Sequence, residues 1–462
     1  MFRYSIITLI LTGVLGCAST SDLDYAAQAN ASSNIAIEQL VEQVIAEREV
    51  RANQQNGETA NYLTDLVSIP ALSQYLDIAL ENNPNLQQSI VALKIAYAQQ
   101  GVTGADRMPT VDASFGAENT QNTDPSYNAD VTVTWEVDLW QKLADSNNAA
   151  IKDIAATQAS LDATRDLLAA NIMRAWLDIS VDQQLLQIEQ RRLSILENNE
   201  TLVLDRYQVG LGSLEELDSA KANTASTRAT VAKYQENLAQ SKRSLLLQTG
   251  QWDAVASSPE VSSTFPSVLN PLDNLSVQDM SGRPDLRQAF FNIEADSYRT
   301  DAAYKAMLPS FSLSASLSDI ADSPSDALFT NPVWAVLGQV SAPLFQGGKL
   351  KSQAEIAELS TEQSYWNYQQ TLLTAVNEVE NASGQEYALA QQQTHLNSSL
   401  TSAKRSIESY QQKYREGLVD ILDLLIVQQQ AYDIEAQLVS TTHQRLINRI
   451  DLGLALGLGV SS

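Results

Sequence analysis

From Leu72 to Ala105 apolar residues recur at helical spacing, at Leu76, Ala79, Leu80, Leu86, Ile90 and Leu93. Asn83-Pro84 interrupts the run and predicts two helices in place of one. The period then switches to two. Val111, Ala113, Phe115 and Ala117 alternate with polar residues, and after an Asn/Thr/Asp/Pro turn Val131, Val133, Trp135, Val137 and Leu139 alternate again. The stretch from Leu143 to about Tyr207 has no proline or glycine and reads as one long helix, on the order of 90–100 Å at ~1.5 Å per residue. A second helix is predicted from Leu214 to Gln248, with a sevenfold series Leu217, Thr224, Val231, Leu238, Leu245.

This plan occurs twice. Tyr207-Gln208-Val209-Gly210-Leu211 returns as Tyr414-Arg415-Glu416-Gly417-Leu418, and the second sevenfold series is Leu424, Ala431, Leu438, Arg445, Leu452. Phe311, Leu313, Ala315 and Leu317 predict a third strand, and Asp319 to Pro332 a loop. Trp334, Val336, Gly338, Val340, Ala342 and Leu344 predict a fourth strand. The predicted organisation is a signal segment (1–16), a partly irregular wrapping segment (17–69) with helix around Ile35–Glu49, and a first repeat (70–250). A Ser, Pro and Asp-rich linker (251–285) and a second repeat (286–458) follow. The β-hairpins are expected at about 110–139 and 309–345, and the helical hairpins at about 142–248 and 349–456. The fold class is therefore mainly α with a small β part, built from a duplicated half-molecule. Outside the sevenfold series the helices are rich in Ala, Ser, Thr, Asn and Gln, which suits a wall one helix thick and wet on both faces.

Four strands cannot close a barrel with an aqueous interior, whereas three copies would supply twelve. Beyond the N-terminal segment no run of 18 or more apolar residues exists, so a membrane would have to be crossed as a barrel. Fifty-five acidic against 29 basic residues, a formal charge of −26, argue against nucleic acid. Two histidines, five methionines and one cysteine leave little for a transition-metal site, and no cofactor is expected.

At the N-terminus Arg3 precedes a short apolar run that ends Val14-Leu15-Gly16-Cys17, which resembles a bacterial lipoprotein cleavage box. That resemblance implies cleavage before Cys17 and lipid on its sulfur and new amino group; the alternative is an ordinary secretory signal. By the same resemblance, Ala18 in place of Asp favours sorting to an outer membrane.

Several further motifs recur in order. Trp135-Glu136-Val137-Asp138-Leu139-Trp140 closes the first hairpin, and Arg283-Pro284-Asp285-Leu286 opens the second-half helix. Leu308-Pro309-Ser310-Phe311 starts the third strand, Pro343-Leu344-Phe345-Gln346-Gly347-Gly348 ends the fourth, and two Tyr-x-x-Gly-Leu turns complete the set. With these the chain resembles the TolC-like outer-membrane efflux channel family, in particular its lipoprotein branch, from about Pro70 to Leu456. The resemblance implies a homotrimer with a 12-stranded β-barrel in the outer membrane and a coiled-coil α-barrel through the periplasm. It implies an exit duct for tripartite pumps or type I secretion, served by a periplasmic adaptor and an inner-membrane transporter, with no covalent chemistry of its own.

The family also gives roles to residues. The turns at Tyr207, Gly210, Leu211 and Tyr414, Gly417, Leu418 would form the adaptor-docking tip; as residues alone they are glycine caps ending helices. Asp420 and Asp423, three apart on a helix, would share a face and ring a constriction, with Tyr414 and Glu216 supporting the gate; the other reading is a carboxylate pair at a helix start. Asp423 lies nine past Tyr414, as in the family, but Ile426 stands where a second family aspartate commonly falls. Gly453-x-x-x-Gly457-x-Gly459 ends a helix and is no phosphate loop, and His395 and His443 read as solvated or packed. A lipid-anchored periplasmic coiled-coil scaffold without a pore is the alternative of another class, and the alternating strands count against it. An envelope hydrolase is a third, disfavoured by the lack of a compact catalytic domain.

Overall fold

The computed structural model describes residues 24–51, 62–67, 70–121, 124–251, 261–274 and 282–460. Cys17, the signal segment and parts of the wrapping segment and linker lie outside them. The elements in order are α1 (Tyr25–Arg51), α2 (Pro70–Asn82), α3 (Pro84–Ala105), β1 (Thr110–Glu118), β2 (Ser126–Val137), α4 (Lys142–Gln208) and α5 (Leu214–Gln248). Then come α6 (Pro284–Lys305), β3 (Ser310–Ala321), β4 (Val333–Ser341), α7 (Lys349–Arg415) and α8 (Ile421–Ala455).

The duplication holds in three dimensions. α4 and α7 have 67 residues each, α5 and α8 have 35 each, and both pairs are offset by 207 positions (349 − 142; 421 − 214). α3 and α6 have 22 residues each, offset by 200 (284 − 84). The seven-residue slip therefore arises between these helices, in the second hairpin and its exit to α7.

The chain divides into two compact units. The first takes the described residues up to Asn34, Ile90–Ser160 and Asp285–Leu372. It contains the sheet, an antiparallel meander in the order β1-β2-β3-β4. Its helical part buries many alanines, with Ala149, Ala159, Ala295 and Ala354 almost wholly covered, beside the larger Leu286, Ile293, Tyr368 and Leu372. Small residues let helices approach closely without building a thick greasy interior.

The second unit takes Ile35–Ser89, Leu161–Pro284 and Leu373–Ser462. Larger residues core it: Ile172, Met173, Leu177, Ile179, Leu245 and Ile450. Of the sevenfold series, Leu217, Thr224, Val231 and Leu245 are buried, as are Leu424, Ala431 and Leu452 in the copy. Three sequence-remote segments join across its surface. Leu63 donates its amide to the Gly459 carbonyl (2.9 Å), Leu269 to the Leu66 carbonyl (2.9 Å), and Val67 bridges Val268. Gly453 explains itself here: a Cβ would sit 2.6 Å from the Leu66 side chain, so the glycine admits that leucine against α8.

Several expectations change. Within the wrapping segment α1 runs unbroken over Tyr25–Arg51, longer than the helix expected around Ile35–Glu49. Ile37, Leu40 and Val41 pack with Val379, Ala382 and Leu452. β2 stops at Val137, because Leu139 turns back to bond the Val137 carbonyl (2.9 Å). β4 stops at Ser341, before Ala342 and Leu344, where Pro343 cannot donate to the ladder. β3 runs on to Ala321, and the Asp319 carboxylate takes the Asn331 amide (2.8 Å) to close the loop.

Candidate functional site

The sheet has two chemically distinct faces, fixed by its register. Residues directly opposite on paired strands share a face. Ala113 lies opposite Val131, Val131 opposite Leu317, and Leu317 opposite Trp334. That row extends along β1 as Val111, Phe115 and Ala117, along β2 as Val133, Trp135 and Val137, and along β4 as Val336 and Val340. Phe115 stacks with Tyr127 at one end of the row (6.5 Å) and Trp135 stands at the other. Eight residue steps from Tyr127 to Trp135 span about 26 Å of strand, the scale of a membrane barrel's apolar band. The other face carries Asp112, Ser114, Asp130, Thr132, Glu136 and the serines of β3. Thr132 donates to Asp130 Oδ1 (2.6 Å), and Lys142 pairs with Glu136 (2.6 Å). β1 and β4 are the sheet's edges, with no neighbouring strand on their outer sides among the described residues.

The Trp135–Trp140 motif is the joint between sheet and helices. Trp135 donates its indole N–H to the Arg107 carbonyl (3.0 Å) and Trp140 to that of Pro309 (2.7 Å), so the two indoles pin the entries to β1 and β3. Asp138 takes the amides of Leu143 (3.1 Å) and Ala144 (2.7 Å) and caps α4. Gln141 is left-handed (φ 64°), and 207 residues on the same conformation falls to Gly348 (φ 86°).

At the helix reversals the two repeats are built alike. Leu211 donates to the Arg206 carbonyl (2.8 Å) and Gly210 to that of Tyr207 (3.1 Å); Leu418 and Gly417 do the same with Lys413 (2.8 Å) and Tyr414 (3.0 Å). This paired closure requires a left-handed residue, and Gly210 (φ 78°) and Gly417 (φ 72°) supply it. Leu211 and Leu418 are left 72% and 68% exposed, while Tyr207 is exposed and Tyr414 half-buried.

Asp420 does not lie on the helix, which corrects the expectation of a shared helical face. It is the N-cap of α8, in extended conformation (φ −80°, ψ 161°), and its Oδ1 accepts from the Ile421 amide (2.6 Å). Asp423 returns the cap, its Oδ2 accepting from the Asp420 amide (3.3 Å). Ser213 and Glu216 form the same box at α5, with bonds of 3.1 and 3.2 Å. Glu216 is thus tied to the turn. Arg206 Nη1 stands 3.9 Å from Asp420 Oδ1, an exposed pair of small energetic weight. Ser213 and Arg206 escaped the sequence reading, although the S-x-x-E spacing signals the first.

Among the described residues no helix is long and apolar enough to cross a membrane, and no cluster of His, Cys, Asp and Glu could hold a metal ion. His443 bonds Asp178 (2.8 Å) and stacks on Phe265, while His395 is exposed.

Comparison with known proteins follows the same lines. The chain is 27% identical over 398 residues to the probable outer membrane lipoprotein SilC of Salmonella typhimurium, covering 84% of this chain and 86% of that one. It is 26% identical over 390 residues to the cation efflux system protein CusC of Escherichia coli K12, covering 82% and 85%. Over 410 residues it is 26% identical to the solvent efflux pump outer membrane protein SrpC of Pseudomonas putida, covering 85% and 86%. Its fold superposes on the Campylobacter jejuni CmeC outer membrane channel with a TM-score of 0.81, at 20% identity, covering 89% and 91% of the two chains. For the open Neisseria gonorrhoeae MtrE outer membrane channel the TM-score is 0.76, at 21% identity, covering 88% and 94%. Residues 75–251 and 275–458 match the outer membrane efflux protein family, one match on each repeat and together most of the chain, so this protein belongs to that family of outer-membrane efflux channels.

Proposed function

We propose that three copies of this chain close a twelve-stranded barrel and form the passive outer-membrane exit duct of a tripartite pump. A periplasmic adaptor and an inner-membrane transporter would supply cargo and energy. The observation that carries this reading is the four-stranded meander with one apolar face, one polar face and two unpaired edges. Free edges call for a partner strand. Two copies would give eight strands, whose interior side chains fill; three is the smallest number that leaves an aqueous lumen. A pore-free scaffold has no use for such a sheet.

The exposed Leu211 and Leu418, on turns held by Tyr207, Gly210, Tyr414 and Gly417, offer the adaptor apolar contacts at the tip. Asp423, with Asp420, lines the constriction at the threefold axis and favours cations, supported by Tyr414 and Glu216. Cys17 carries the lipid anchor. The duct uses no cofactor and performs no covalent chemistry. Relatives named for a cation efflux system and for a solvent efflux pump match over similar lengths, which supports cargo choice upstream of the duct.

The test is single-channel recording of purified protein in a planar bilayer. Small, cation-selective steps are expected, and Asp423→Asn should enlarge them or weaken the selectivity. An unchanged variant would remove Asp423 from the constriction; no current from folded trimers would overturn the duct.

A further inference from the structure

We propose that the barrel wall itself holds a ligand. An apolar lane of Ile320, Val333, Ala335 and Leu337 takes the body of an amphiphilic organic cation, and Asp130 beside it takes the charge. This rests on the reading above, that the polar face of the sheet lines an aqueous lumen.

That face is polar on the first three strands and changes character at the fourth. β1 and β2 give it Asp112, Ser114, Asp130 and Thr132, and β3 gives a serine at every second place from Ser310 to Ser318. The pairing then carries the same face onto β4. Ser318 lies opposite Val333, Ser316 opposite Ala335, and Ser314 opposite Leu337. Where the serine series of β3 ends, Ile320 stands opposite Asn128, again on this face. Ile320, Val333 and Leu337 are 72%, 67% and 57% exposed. β4 is therefore apolar on both faces, since Trp334, Val336 and Val340 occupy the other.

A strand between lipid and a wet lumen needs only one apolar face. Serine or threonine at 333, 335 and 337 would keep the same ladder, whereas aliphatic groups there expose surface that water disfavours. The exposed groups are also contiguous. Val333, Ala335 and Leu337 follow at two-residue steps, and Ile320 is the diagonal neighbour of Val333, about 7–8 Å away. From Ile320 to Leu337 the lane crosses three such steps, about 20 Å along the strands.

Charge names the occupant. The four strands contain no lysine, arginine or histidine. Their polar face carries Asp112, Glu118, Asp130 and Glu136, and Lys142 pairs with Glu136 (2.6 Å). Asp130 is the diagonal neighbour of Ile320, about 7–8 Å from it, and accepts from the Thr132 hydroxyl (2.6 Å). An apolar lane that ends beside a carboxylate, with no basic side chain of the sheet to offset it, suits an apolar body with a positive head. The same acids repel an apolar anion of equal size.

Cysteine protection in intact outer membranes tests it, with tetraphenylphosphonium as the probe. Ala335→Cys reports from the middle of the lane and spares its larger side chains. Thr134→Cys, on the same face but two strands from β4, is the control. Both should react with a membrane-impermeant maleimide, and tetraphenylphosphonium should slow Ala335→Cys severalfold while Thr134→Cys keeps its rate. Tetraphenylborate, the same body with the opposite charge, should protect neither. In the Ala335→Cys background, Val333→Ser with Leu337→Ser should abolish the protection, and Asp130→Asn should remove most of it. Protection that is absent, equal at Thr134→Cys, or indifferent to the serine pair would overturn the lane. Equal protection by tetraphenylborate, or none lost with Asp130→Asn, would overturn the cation. Trimers in which neither cysteine reacts would overturn the lumen on which the lane rests.

Discussion

Val131→Lys and Thr132→Lys are one chemical change made at adjacent residues, and the two-faced sheet predicts opposite outcomes. Both positions lie at the middle of β2. Val131 sits between Ala113 and Leu317 on the apolar face. Thr132 sits between Asp112 and Ser316, and its hydroxyl bonds Asp130 (2.6 Å). A lysine on the lipid face of a barrel near the bilayer midplane costs roughly 2–4 kcal/mol. At 1.4 kcal/mol per decade that is roughly 30- to 700-fold in the folding equilibrium, in every chain of the assembly. On the polar face the ammonium stays hydrated beside two carboxylates, and the loss is about one hydrogen bond, ~1 kcal/mol. Urea unfolding from lipid vesicles, followed by gel mobility, should separate the two variants by about 1–3 kcal/mol per chain, the difference of those ranges. Thr132→Lys should fold and lower the cation preference in bilayers. Equal costs, or a worse Thr132 variant, would refute the assignment of faces.

Three further outcomes follow from the helical region. Glu386 is 5% exposed, its Oε1 accepts from both Arg445 and Arg449, and its Oε2 has no hydrogen-bond partner among the described residues. Glu386→Gln strands two arginines and should cost about 3–5 kcal/mol in chemical denaturation, whereas Arg445→Met leaves Arg449 to neutralise the acid and should cost less; the reverse order would contradict this. Burial raises the Asp166 carboxyl above its ordinary value, against the Val460 amide it accepts (2.8 Å). The folded state therefore holds that proton more tightly, and Asp166's contribution to stability is lost as pH rises from the ordinary carboxylate value through the raised one. Asp166→Asn should raise Tm at neutral pH, with the gain fading below about pH 4, and a gain independent of pH would exclude the mechanism. Gly417→Ala meets nothing within 4 Å, so its expected cost of about 1–2 kcal/mol is backbone strain alone, and Gly417→Asn should recover part of it in thermal unfolding.

Much of the fold was legible because the sequence repeats itself. The helix Leu214–Gln248 was legible from Gly210 before it and the sevenfold series along it, while the Ser213-x-x-Glu216 box that fixes its first residue was overlooked. The strands were legible where alternation was strict, and misjudged where an apolar residue continued the pattern past a turn, as at Leu139 and Leu344. Helix α1 shows no apolar stripe; its buried face is Ala29, Ser33, Ile37, Leu40 and Val41, a mixture that only packing reveals. At the second helix reversal, residue spacing could not separate a shared helical face from a cap, because Asp at the helix start serves either role. The backbone conformation of Asp420 decides for the cap. Gln141 concealed a left-handed position that glycine shows openly in the copy.

The most direct test of a lumen is a cysteine-accessibility scan along Tyr127–Glu136 in intact outer membranes, with a membrane-impermeant maleimide. The chain's only native thiol is Cys17, so background labelling is easily subtracted. The account predicts period-two labelling, with Asn128, Asp130, Thr132, Thr134 and Glu136 variants modified and Ala129, Val131 and Val133 variants protected. Labelling at every position would mean a sheet bathed on both faces, and would contradict the barrel.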